Sequence, residues 1–89
     1  MPIHAAASKG KIRAVKTLIQ LGEDLNALGS HDFTPLIVAV IFQNHDVAKY
    51  LVQMGADVHI QSSFNQTALD IALIFNDEEM EMILKHGSV

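Results

Sequence analysis

The chain has 89 residues, 49% of them hydrophobic and 18% charged, with a net charge of −4 and no cysteine. That is one domain's worth of sequence, too apolar for a disordered chain and without thiols for a disulfide framework or a thiolate zinc site. The longest unbroken apolar run, Leu36 to Phe42, is seven residues, far below the roughly 20 that span a bilayer.

The start, Met1-Pro2-Ile3-His4, has neither the basic segment nor the apolar stretch of a secretory signal, so the expected location is cytoplasmic. Pro2 to Ala7 reads as a first short helix, followed by Lys9, Lys11, Arg13 and Lys16 on a solvated surface. Val15, Leu18 and Ile19 then recur at helical spacing up to Gly22. Thr34 caps a further helix whose first turn accommodates Pro35, because the amide hydrogen that proline lacks would be unpaired there. Val47, Leu51 and Val52 give the next amphipathic stretch, which stops at Gly55. Thr67 and Asp70 have capping-box spacing, and Ala5, Ala6, Ala39 and Ala72 are small where short helices must pack closely. Charge is polarised along this order. Up to Gly29 four cations stand against two carboxylates, and after it Lys49 and Lys85 stand against eight. An acidic body of this kind argues against a phosphate-tracking surface.

The chain repeats itself. A shift of 33 residues brings Pro2 onto Pro35, Ala6 onto Ala39, Leu18 onto Leu51, Gly22 onto Gly55 and Asp24 onto Asp57, and a second shift brings Thr34 onto Thr67 and Ala39 onto Ala72. Thr34-Pro35-Leu36-Ile37-Val38-Ala39 and the run Lys49 to Val58 resemble the ankyrin repeat, whose period and Thr-Pro-Leu-His-x-Ala signature they share. Thr67-Ala68-Leu69-Asp70-Ile71-Ala72 resembles a last-repeat variant, and Pro2-Ile3-His4-Ala5-Ala6-Ala7 opens the first copy. The resemblance implies an all-α solenoid: one domain, 1–89, of three helix-turn-helix units, approximately 1–29, 30–62 and 63–89, joined by β-turn-type loops.

Departures from the pattern set further expectations. Thr67 to Gly87 is one residue shorter than Thr34 to Gly55, which places a missing residue near Asn76-Asp77-Glu78. Met80, Ile83 and Leu84 form the expected inward face, with Glu78, Glu79 and Glu81 in water. The glycine between the two helices of a unit survives as Gly10 but is Gln43 and Asn76 in the later copies, and Gln43 is the expected strained position. Asp32 and Asn65 replace the turn glycine.

The resemblance also implies a concave binding surface made of loop tips and the inner face of the first helices. Carried onto this sequence, it selects Ser30, His31, Phe33, Ser63, Phe64 and Gln66 in the loops, and Ser8, Lys9, Ile41, Phe42, Ile74 and Phe75 on the helices. All four phenylalanines fall in that set, which suggests an apolar recognition groove. For Phe42 and Phe75 a place in the core stays open as the alternative. Asp32, Asp46 and Asp77 are expected at the rim, where they would steer a basic partner.

Catalysis finds no support in the sequence. No two of His4, His31, His45, His59 and His86 have the i, i+4 spacing of a helical metal site, and no phosphate loop or nucleophile elbow is present. The pairs His31-Asp32 and His45-Asp46 are read as chance, and His4 as a structural histidine bonded to a neighbouring loop. The expected function is binding of another protein, of basic character, by a chain that is monomeric when free and needs no cofactor, nucleic acid or membrane. A small cytoplasmic inhibitor or immunity-type protein and a scaffold or adaptor subunit remain the two alternatives. The span from Met1 to just past Gly87 reads as a complete small protein.

Overall fold

The computed structural model describes residues 2–87. Six helices follow one another: α1 (Pro2–Ser8), α2 (Ile12–Gln20), α3 (Pro35–Ile41), α4 (His45–Gln53), α5 (Ala68–Ile74) and α6 (Glu78–Gly87), with a single 3₁₀ turn at Ser30–Asp32. Among the described residues there is no strand. Each pair packs as a hairpin, and pairs stack so that α1, α3 and α5 form one layer and α2, α4 and α6 the other. These helices are seven to ten residues long, shorter than the ~12–15 residues needed for stability in isolation, so packing and end-capping must hold them.

The caps are those that the sequence specifies. Thr34 Oγ1 accepts from the Ile37 amide at 3.1 Å. Thr67 and Asp70 exchange both bonds of a capping box. At the other ends the chain turns left-handed three times at the same place in the repeat, at Gly10 (φ 69), Gln43 (φ 58) and Asn76 (φ 53). The amides of Gln43 and Asn44 bond the carbonyls of Val40 and Ala39, and those of Asn76 and Asp77 bond Leu73 and Ala72, which is the Schellman pattern.

The third pair corrects the sequence reading in one respect. Asn76 stands 33 residues after Gln43, and the buried Met80 and Leu84 stand 33 after the buried Val47 and Leu51. No residue is missing near Asn76–Glu78. Instead α6 runs through Gly87, the counterpart of Met54 rather than of Gly55, so Gly87 was the wrong landmark. Met80, Leu84 and the half-buried Ile83 do form the inward face.

The core is aliphatic, with Ile3, Val15, Leu36, Ile37, Val40, Val47, Leu51, Met80 and Leu84 at or near zero exposure, and no aromatic ring among its buried residues. Ala6, Ala39 and Ala72 are buried as expected, but Ala5 is exposed. Its counterparts Val38 and Ile71 are buried because α1 and α3 lie in front of them, and no unit lies in front of Ala5. Asp70 and Lys85 mark the other end, exposed where Ile37 is buried and Val52 half-buried.

Polar ties join the units. His4 Nε2 lies 2.8 Å from the Ala27 carbonyl and 2.9 Å from that of Phe33. Two carbonyl acceptors require Nε2 to carry a proton, and Nδ1 is buried without a partner. Gly29 lets the loop close on this ring, for a Cβ there would come within 2.9 Å of it. Asn44 Nδ2 donates to the Ala7 and Ser8 carbonyls at 2.7 and 3.1 Å, and the Asp57 amide donates to Asn26 Oδ1 at 2.9 Å.

Candidate binding surface

The two long loops reach adjacent positions because their bases are pinned in the same way. Gly29 N–H donates to the Phe33 carbonyl, and Ser62 N–H donates to that of Gln66. A further bond, Ser63 N–H to the His31 carbonyl at 2.9 Å, ties one loop to the next. His31 (φ 56), Asp32 (φ 57) and Asn65 (φ 61) take left-handed backbones at the turns. The result is a ring cluster across two repeats. The His31 ring lies 5.7 Å from Phe33 and 5.3 Å from Phe64, and the two phenylalanines are 6.2 Å apart, all tilted. Those separations suit favourable aromatic contact.

Burial sorts the residues that the sequence selected. Phe42 and Phe64 are each 58% exposed, Ile74 62% and Phe75 43%, so Phe42 and Phe75 lie outside the core. Ser30, His31, Ser63 and Lys9 are exposed as well. Phe33 and Ile41 are partly buried and pack against the core, which gives Phe33 the structural role that the sequence made the less favoured alternative to recognition. Gln66 is half-buried, and Ser8 is half-buried with its hydroxyl on the Ala5 carbonyl. Phe42 and Phe75 occupy the residue after α3 and α5, one repeat apart, with Lys9 at the same place after α1.

Asp77 is not a free rim charge. Its carboxylate caps α6 by accepting from the Met80 amide and holds His45 Nε2 at 2.9 Å from both oxygens, with its side chain only 9% exposed. Glu79 Oε2 stands 3.9 Å from His45 Nδ1. Thus His45 joins α4 to α6 rather than pairing with its neighbour Asp46. Asp32 and Asp46 are exposed.

Two apolar features escaped the sequence reading. Leu28, at the base of the first loop, is exposed. A groove between α4 and α6 is lined by Val52, Met82 and Ile83. The second had a visible signal: Met82 stands where the other two copies carry Lys16 and Lys49.

Comparison with known families agrees with this architecture. The family described as ankyrin repeats (3 copies) matches residues 1–62, and the chain belongs to that family. The third helix pair lies past the matched span and keeps the 33-residue register, as shown above. No curated protein matches the chain. Ankyrin repeats form modules of protein–protein interaction, and the chain is such a module. No helix among the described residues is long and apolar enough to cross a membrane.

Proposed function

We propose that the chain binds a partner protein on the face formed by its loop tips and the ends of α3 and α5, and that its role is that of a small inhibitor or immunity-type protein. One observation carries the reading. No aromatic ring is among the buried residues of the core, yet Phe42, Phe64 and Phe75 are exposed with Ile74 beside them. Folding does not require rings there, whereas aromatic residues held in place by a rigid scaffold are the usual anchors of recognition. At about 9 Å between neighbouring helices, three units give a surface of about 25 Å, enough for one helix or one edge of a partner. Exposed Asp32 and Asp46 favour a basic partner and act more on encounter than on final affinity.

Affinity purification followed by mass spectrometry gives the partner. A single stoichiometric enzyme or toxin supports the inhibitor reading, and several housekeeping proteins support a scaffold instead. Calorimetric titration of that partner then tests the surface. Phe42→Ala, Phe64→Ala and Phe75→Ala should each cost about 1–3 kcal/mol of binding. Unchanged affinity in all three variants sinks the assignment.

A further inference from the structure

The layer of α2, α4 and α6 has no task in the reading above, and its surface is graded in both charge and apolarity. An open groove of about 580 Å³ lies between α4 and α6, with Val52, Met82 and Ile83 on its apolar side. Met82 is 60% exposed. The equivalent seam between α2 and α4 is covered, because Lys16 lies over the Tyr50 ring with Nζ 5.3 Å from its centroid. In the α4–α6 seam the counterparts of that pair are Lys49, which lines the groove, and Ile83 in place of the ring, and Met82 adds an apolar side chain on the α6 side.

Charge on the same layer runs in steps. Helix α2 holds Arg13 and Lys16 and no carboxylate. Helix α4 is balanced by Asp46 and Lys49, and α6 carries Glu78, Glu79 and Glu81 in its first turn against Lys85 in its last, a net negative helix. A face that is positive, neutral and negative across three parallel rods complements a copy of itself after a half-turn about an axis along the middle rod. That operation lays α2 on α6 and α4 on α4. A half-turn about the perpendicular axis in the interface would instead lay α2 on α2, like on like, so charge selects the first. The selected arrangement keeps the helices parallel. It therefore brings the end of α2, where Leu21 is 76% exposed, to the end of α6 where Met82, Ile83 and His86 line the groove.

We propose that this layer is a self-complementary interface on which a second copy of the chain docks two-fold, α2 of each copy on α6 of the other. Arg13 meets Glu79 across the interface, the stem of Lys16 lies level with Met82, and Leu21 covers the last turn of α6. The interface is separate from the loop-tip surface, so either can fail without the other, and it replaces the expectation of a free monomer.

Sedimentation equilibrium of the full chain over a concentration series tests it. The expected species is a dimer. Arg13→Glu and Glu79→Lys should each raise its dissociation constant at least about tenfold, and the two together should bring it back to within about threefold of the original. Met82→Gln, which leaves every charge in place, should weaken it by about tenfold as well. Circular dichroism melts verify that each variant is folded. A monomer throughout the series overturns the proposal, as does a dimer indifferent to both charge reversals. A dimer lost in Phe64→Ala but kept in Met82→Gln puts the interface on the other face and overturns it too.

Discussion

Gln43 holds a left-handed backbone, φ 58, at a place where the first copy has Gly10 at φ 69 and the third has Asn76 at φ 53. A Cβ in that region crowds the neighbouring carbonyl by roughly 1–2 kcal/mol, and asparagine offsets part of this by local hydrogen bonding while glutamine does not. Gln43→Gly should therefore stabilise the fold by about 0.5–1 kcal/mol net of the added chain entropy, and urea melts will show it as a rise in midpoint at constant slope. The sequence exposed this strain because a repeat lets one copy be read against another. Ring burial was less legible. Phe33 and Phe64 flank equivalent turns, yet Phe33 packs on the core and Phe64 is 58% exposed. The two hold different repeat positions, Phe33 that of the half-buried Gln66 and Phe64 that of the exposed His31, so register tells them apart where flanking a turn does not. Phe33→Ala should accordingly cost about 1–3 kcal/mol of stability and Phe64→Ala less than about 0.5 kcal/mol, measured by the same melts.

Each helix is too short to stand alone, so its ends matter as much as its buried face. Starts and stops were readable in advance, since Thr34, Thr67 and Asp70 cap, and Gly22 and Gly55 terminate, by rules that act within a few residues. Of the links between units only that of His4 to the next loop was readable, through the repeat signature; the others depend on which side chain meets which backbone group 30 or more residues away. Asn44 precedes α4 where a capping side chain is expected, but its amide satisfies the Ala7 and Ser8 carbonyls at the end of α1. Asn44→Ala should cost about 1–3 kcal/mol, because partly buried helix-end carbonyls lose their donor. Asp77→Ala removes a cap and the partner of His45 together and should cost about 1–2 kcal/mol. Both follow from chemical denaturation. An Asn44→Ala variant as stable as the parent would mean that water takes over those carbonyls without loss.

At the scale of the molecule, the middle unit differs from its neighbours at the positions that touch them. Ile37 and Val40 are fully buried in α3, while the same places in α5 hold the exposed Asp70 and a Leu73 that is 49% exposed. Val38 is buried where α1 has the exposed Ala5, and half-buried Tyr50 stands where α2 has the exposed Thr17. Ala5, Thr17 and Asp70 are small or polar where the middle unit is apolar, as suits the outer faces of a stack, and they make the terminal units unequal to the middle one. Cutting the chain after Asp57 removes α5 and α6 and opens Ile37 and Val40 to water, the positions at which the last unit has the exposed Asp70 and Leu73. Each large aliphatic side chain so exposed forfeits about 1.5–3 kcal/mol, against a total stability of ~5–15 kcal/mol for a whole domain. The fragment 1–57 should therefore lack a cooperative thermal transition and bind a hydrophobic dye. A sharp melt from it would mean that two units close a core by themselves, and that the third is an attachment rather than part of the fold.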